Sequence, residues 1–367
     1  MNVYIIVMVL DKNIVKLNTF DGRGAQTTVS NSLAVHQRDP YWDGSYFDEE
    51  FFASDNQTQW IPTQAKTLLN KVSNPDLDAP WSMNPYQGCE HGCIYCYARI
   101  THEYWGYNAG LDFEQKVMYK SNAPELLEKK LKSRTWRGEK ITLSGNTDCY
   151  QPIEQKLKIT RQLLEICLRY KQRVMIITKN ALVLRDIDIL GPMAKLGLVE
   201  VHISITTLNE TLRRSLEPRT SSSLKKLRAI QTLARLNIPV HVLLAPIIPG
   251  LNSEEIFPIC KAVSKAGAVS LQYSLIRLSG TTALLFENWI CKKFPLKASR
   301  VLHQITETHQ GSRNDGCQLP KKHKGVIADL IHQQIEAAKR KYGLYKTTPK
   351  IISRKLGFIQ SNQLNLF

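Results

Sequence analysis

The chain has 367 residues, 43% hydrophobic and 22% charged, with no dominant low-complexity tract, which sets aside a disordered chain and allows a large buried core in one large domain with extensions or in two ordinary domains. Forty-nine Lys and Arg against 32 Asp and Glu give a net charge of +17, an excess that suits a polyanionic partner such as DNA or RNA, although surface Lys and Arg also serve solubility alone. Of the eight cysteines, three fall within eight residues, whereas Cys149, Cys167, Cys260, Cys291 and Cys317 are scattered. That distribution argues against a secreted disulfide framework and for a metal site in a reducing cytoplasm.

The opening MNVYIIVMVL is apolar but much shorter than the ~20 residues that cross a bilayer. It also lacks the basic start and cleavage site of a signal peptide, and reads as an extra strand or a leader. No other stretch is long enough to span a membrane, so no membrane partner is expected. Residues 1–80 form an irregular N-terminal extension. Within it Gln37–Ser54 is acidic and aromatic with little periodicity, and Thr63–Leu69 is a short helix or strand.

From residue 81 the pattern changes to short apolar runs alternating with amphipathic stretches. Strands are expected at Trp81–Tyr86, Lys140–Ser144, Val174–Thr178, Glu200–Thr206, Val240–Ala245 and Val269–Ile276. Between them come helices near Ala123–Lys132, Leu157–Tyr170, Leu184–Leu196, Ser222–Leu236 and Ser253–Ala266. Asn122 is the expected N-cap of the first, with Pro124 in its first turn, and Glu254 and Glu255 favour the positive end of the last. The alternation implies an α/β fold with a parallel sheet across residues 81–280. Near-continuous apolar strands such as VMIIT and VHVLLA fit burial on both faces. An open or closed barrel and a doubly wound sheet all satisfy this spacing. Residues 281–367 read as a basic helical region, with helices at Thr281–Lys293, Lys297–His309 and Gly325–Tyr342.

The segment Cys89-Glu90-His91-Gly92-Cys93-Ile94-Tyr95-Cys96 places three thiols in one tight loop. Soft thiolates so close together suit iron–sulfur or zinc. Structural zinc sites usually pair two near ligands with two distant ones, and no second pair follows here. Three cysteines on a [4Fe–4S] cluster would leave one iron for a small molecule bound through amino and carboxylate groups. Gly88 and Gly92 permit the tight turn. The alternative is a Cys3His zinc site completed by His91 or His102.

The Cys-x3-Cys-x2-Cys loop with aromatic Tyr95 resembles the radical S-adenosylmethionine (SAM) superfamily signature. The longer runs NPYQGCEHGCIYCYARITHEYWGYNAGLDFE, TDCYQPIE, ITKNALVLRDIDIL, LEPRTSS and APIIPGLN resemble a bacterial radical SAM family of undefined substrate related to spore photoproduct lyase. The likeness covers roughly residues 20–345. It implies a partial (βα)6, TIM-like barrel, with Cys89, Cys93 and Cys96 holding a [4Fe–4S] cluster after the first strand and SAM lying across the strand C-terminal ends. It implies reductive cleavage of SAM to a 5′-deoxyadenosyl radical that takes hydrogen from substrate, with a flavodoxin- or ferredoxin-type electron donor.

The same resemblance assigns the remaining SAM contacts. Asn146 and Thr147, in SGNTD after the second strand, stand where the amino group binds, and also suit an ordinary turn. Lys179 ends the third strand and would meet the carboxylate, or be a solvated strand end. Ser204 would contact ribose, or bond to backbone within the core; it shares a strand face with His202 and Thr206. Ala245 would offer its backbone to adenine, and Tyr95 would pack near adenine or belong to the core. One departure is clear. Spore photoproduct lyase carries a hydrogen-donating cysteine immediately before the SAM-binding polar residue, and here that position holds Asn146. Cys149, three residues on, is then either a thiol hydrogen donor or a buried small hydrophobe. His102-Glu103-Tyr104 reads as a proton-handling group or a network bracing the loop, and Glu217 with Arg219 as a salt bridge or a substrate contact.

The substrate class is open among nucleic acid, small molecule and protein. Lys292, Lys293, Lys321, Lys322, Lys324, Arg340 and Lys341 are candidate phosphate contacts, or a solvated helix face. A non-catalytic, zinc-bearing nucleic-acid-binding protein is the competing reading of the whole chain.

Overall fold

The alternation of apolar runs and amphipathic helices builds two sheets in a computed structural model, which describes residues 22–27, 29, 31, 57–72, 79–309 and 325–345. The expectations for MNVYIIVMVL, for Gln37–Ser54 and for Lys321, Lys322 and Lys324 fall outside those residues.

Ten strands are described: β1 Gln59–Thr63, β2 Leu69–Lys71, β3 Trp81–Met83, β4 Tyr86–Gln87, β5 Lys116–Lys120, β6 Ile141–Leu143, β7 Val174–Thr178, β8 Val199–Ser204, β9 Val240–Ile247 and β10 Ser270–Leu275. The helices that follow the early strands are α1 Leu111–Gln115, α2 Ala123–Lys132, α3 Glu154–Leu157 and α4 Ile159–Arg169. Those between and beyond the later strands are α5 Ile187–Lys195, α6 Glu210–Leu216, α7 Ser223–Arg235, α8 Ile256–Lys265, α9 Gly280–Lys293, α10 Pro295–Thr308 and α11 Val326–Tyr342.

The larger sheet runs β10-β9-β8-β7-β6-β3-β2, and every neighbouring pair is parallel except β2 with β3. Its two edges, β10 and β2, do not pair with each other among the described residues, so the six parallel strands form an open, partial (βα)6 barrel. Strand β8 shows how the faces divide. Val199, Val201 and Ile203 join a core shared with Ile189, Leu190 and Met193 of α5 and Ile230 and Leu233 of α7. Alternation then turns Glu200, His202 and Ser204 to the opposite, concave face.

The lead-in before residue 81 is less irregular than its sequence. A short sheet runs β1-β5-β4, with β1 parallel to β5 and β4 antiparallel to it. QWIPT has no clean alternation and contains Pro62, which a strand tolerates at an edge, where β1 lies. Its pairing, not its own pattern, makes it a strand. The Asn122 side chain also departs from expectation: it makes no cap bond on α2 and instead exchanges two hydrogen bonds with the Ala65 backbone, at 3.0 and 2.9 Å. The C-terminal helices are packed elements. Leu285, Phe286, Trp289 and Ile290 of α9 share a core with Cys93, Ile94 and Tyr95, and the Leu271 N–H donates to the Leu344 carbonyl just past α11. Among the described residues no helix is long and apolar enough to cross a membrane.

Candidate active site

Cys89, Cys93 and Cys96 lie between β4 and a 3-10 helix, Tyr97–Trp105. The loop is anchored at both ends by backbone: Cys89 N–H donates to Phe113 O at 2.8 Å and Ile94 N–H to Leu216 O at 3.0 Å. Beneath it Arg99 is fully buried and donates to the carbonyls of Cys93, Ala109 and Gly110 and to Glu114. Glu114, also fully buried, accepts from the Gly24 and Ala25 N–H groups. Residues 22–27 of the lead-in are thereby part of the frame around the loop. The fit leaves no room for side chains: a Cβ on Gly24 would lie 1.7 Å from Gly92 O, and one on Gly92, at φ +66°, would lie 2.7 Å from Glu114 Oε2.

The TDCYQPIE run holds the other side. Gln151 Oε1 accepts from Glu90 N–H, and Glu90 Oε2 accepts from Ile153 N–H at 2.7 Å. Asp148 is the hub. It accepts from Tyr150 N–H, Thr178 Oγ1 and Lys179 N–H, and its Oδ2 lies 3.3 Å from His91 Nδ1. Burial opposes its charge, but His91 and those donors more than offset that and lower its pKa.

A second network crosses the C-terminal ends of β7, β8 and β9. The Tyr95 hydroxyl donates to Glu217 and lies 3.3 Å from Thr206 Oγ1. Glu217 is fully buried and pairs with Lys226 Nζ at 2.7 Å, itself 1% exposed. Burial would raise the Glu217 carboxyl, yet Lys226 and Lys179 with the bonds from Lys226 and Tyr95 hold it at about 2. Lys179 Nζ lies 3.5 Å from Ala245 O and 5.8 Å from the centre of the Tyr95 ring, and its charge reaches Cys93 and Cys96.

The structure thus gathers Tyr95, Lys179 and Ala245 beside the thiols, and adds Thr206, Glu217 and Lys226. Ser204 is buried on the same concave strand face as His202. Asn146 donates its N–H to Asn84 Oδ1, and the Thr147 hydroxyl is committed to the Tyr86 carbonyl at 2.8 Å. The Cys149 thiol is fully buried in the core with Tyr86, Tyr150 and Ile153, the placement of a small hydrophobe. Arg219 donates to Gly22 O and approaches Glu90 at 3.8 Å, so it is a tether for the lead-in, while Glu217 pairs with Lys226 and not with Arg219. His102 is buried, stacked on Tyr107 with its edge to Phe113, and Glu103 accepts from the Thr281 hydroxyl, which makes this pair a brace for the loop. Sequence reading missed the role of Asp148, the Arg99–Glu114 pair and Lys226. Each stands among other polar residues, a local setting that most often marks a surface.

Burial pushes all three loop thiols up, and the charges of Cys93 and Cys96 raise Cys89 further. Thiolates in such a place need a bound cation, which is the donor chemistry of a metal centre.

A partial (βα)6 barrel with a three-thiol loop after its first strand defines a SAM-dependent iron–sulfur enzyme. The family model of the radical SAM superfamily matches residues 83–263. The chain belongs to the radical SAM superfamily and is an enzyme of that class, with a [4Fe–4S] cluster and SAM as its cofactors. Membership overturns the non-catalytic zinc-bearing alternative. An uncharacterized protein of Mycobacterium tuberculosis is 31% identical over 238 residues, 64% of this chain and 70% of its own. One from Methanocaldococcus jannaschii is 33% identical over 195 residues, 53% of this chain and 70% of its own. Among solved structures, spore photoproduct lyase complexed with dinucleoside spore photoproduct matches at TM-score 0.53 and 17% identity, covering 77% of this chain and 79% of that one. That last likeness is one of fold.

Proposed function

We propose that Cys89, Cys93 and Cys96 hold the cluster, that SAM lies beside it over the ends of β6 to β9, and that the substrate is a nucleic acid. When bound, the reduced cluster and SAM together supply a 5′-deoxyadenosyl radical that takes a hydrogen atom from the substrate. The chain's own groups orient and protect. Lys179 offers an ammonium to a carboxylate, with the Ala245 carbonyl and Tyr95 ring fixing its reach. Tyr95 is held by Glu217 and Thr206 and presents a rigid wall for adenine. Asn146 and Ser204 stand as polar contacts at the ends of β6 and β8. Thr147, its hydroxyl committed to Tyr86, holds the turn in which Asn146 lies. Cys149 is not assigned the hydrogen-donor role. The buried frame keeps water from the chamber.

The observation that carries the reading is the convergence of the three-thiol loop with Lys179 and the Tyr95–Glu217–Lys226 network at one end of the parallel strands. It is tested by anaerobic purification, iron analysis and incubation with dithionite and SAM. About four irons per chain and 5′-deoxyadenosine are expected. A fully loaded protein that forms none would refute the catalytic assignment.

Two observations favour nucleic acid. The chain carries a net charge of +17. The 3-10 helix after the thiol loop exposes Tyr97, Tyr104 and Trp105 at 61%, 78% and 53%, faces on which bases stack. Lys292, Lys293, Arg340 and Lys341 are exposed on α9 and at the end of α11, Lys292 also donating to Gln26 O. Affinity for single-stranded DNA or RNA should fall steeply with salt; a flat dependence would remove this substrate class. A flavodoxin- or ferredoxin-type protein is proposed as the electron donor.

A further inference from the structure

Toward the N-terminal ends of the parallel strands, on the concave face, lies a polar group that the SAM reaction does not use. His202 of β8 and His241 of β9 are cross-strand partners in register, and their rings stack with centroids 4.7 Å apart. Glu200, two residues before His202 on the same face, has Oε1 3.3 Å from His202 Nε2. One donor atom from each of Glu200, His202 and His241 falls within 4.8 Å of the others. Both imidazoles are 5% exposed.

His241 adds an independent sign. Its Nδ1 lies 2.8 Å from Ser270 Oγ on β10, which orients the ring, while its Nε2 is buried with no hydrogen-bond partner. A buried imidazole nitrogen left unmatched is costly, and a ring fixed through its other nitrogen is the usual arrangement of a metal ligand.

We infer that Glu200, His202 and His241 form a second metal site, separate from the thiol loop, for a divalent cation of the zinc class. Two imidazoles and a carboxylate are borderline donors that suit zinc better than magnesium or calcium. Ligand atoms on a tetrahedral zinc lie about 3.4 Å apart, within reach of small side-chain rotations from the present spread. Lys140, whose Nζ lies 2.6 Å from Glu200 Oε1, balances the carboxylate until a metal displaces it. It lies just before β6 and is 18% exposed, so its ammonium has water to withdraw into. Three protein ligands leave a tetrahedral ion one open position, on the concave side.

The test uses the full-length protein, anaerobically purified with its cluster in place, titrated with zinc ion alone and desalted. About one zinc per chain beyond the iron is expected, with a zinc-edge X-ray absorption spectrum showing only nitrogen and oxygen neighbours near ~2.0–2.1 Å. His241→Ala and Glu200→Gln should weaken zinc on the order of 100-fold while iron content stays unchanged, and Lys140→Met should tighten it about 10-fold by removing the competing ammonium. Sulfur neighbours near ~2.3 Å would place the zinc in the thiol loop and overturn the proposal. So would binding of much less than one zinc, or an affinity indifferent to these substitutions. If His241→Ala does not fold, Lys140→Met decides alone: no gain in zinc affinity overturns the site.

Discussion

The two ends of the same parallel strands solve the problem of buried charge differently. Among the described residues at the C-terminal end the buried charges sit beside near partners, Arg99 with Glu114, Glu217 with Lys226, Asp148 with His91 and the Lys179 N–H, although His91 Nδ1 and both His102 nitrogens make no hydrogen bond. At the N-terminal end Glu200 has Lys140 and His202, yet the Nε2 of His241 beside them faces no partner. The first end is a frame around three thiols whose ionisation burial opposes. The second is a half-matched polar group under that chamber. The lesson is that pre-organisation for the cofactor lies less in the cysteines than in the ion pairs behind them.

The largest way to break this contrast is to remove a thiol. Cys93→Ala should abolish cluster loading and bring 5′-deoxyadenosine to background, read by iron assay and chromatography, while circular dichroism shows the fold retained. Next, breaking a buried pair on one side should destabilise the frame strongly. Glu217→Gln leaves Lys226 buried without its counter-charge, at a cost of about 3–5 kcal/mol in denaturant unfolding, and the double variant Glu217→Gln/Lys226→Met should recover most of it. A double variant no better than the single would mean that Glu217 acts through Tyr95 instead. Lys179→Ala should remove one charge-assisted contact, about 1.5–3 kcal/mol, seen as a raised KM for SAM with iron content unchanged. The smallest effect is expected at Cys149. Cys149→Ala should cost about 1 kcal/mol of stability and leave 5′-deoxyadenosine formation intact. A selective loss of product with normal SAM cleavage would restore the thiol as a hydrogen donor.

What was legible in the sequence followed from periodicity and local spacing. VMIIT became β7, VHVLLA became β9, which runs two residues further to Ile247, and Ala123–Lys132 became α2 with its bounds as expected, because short apolar runs and amphipathic helices report their own burial. The thiol loop was legible because its three donors are adjacent in the chain. The frame was not. Gly24 and Ala25 meet Glu114 across about ninety positions, and Lys226 on α7 meets Glu217 just past the end of α6. QWIPT gave no strand signal because its partner, KVMYK, supplies the pairing that makes it one. Asn122 looked like a cap from its position but binds Ala65, a tertiary bond that local propensity does not report.

The central claim is that three thiols of this chain hold a cluster with one iron left for SAM. Electron paramagnetic resonance of the dithionite-reduced, fully loaded protein tests it most directly. A [4Fe–4S]+ signal is expected whose g-values move when SAM is added, in the wild type and in Cys149→Ala alike. A fully loaded cluster whose signal is unchanged by saturating SAM would contradict it.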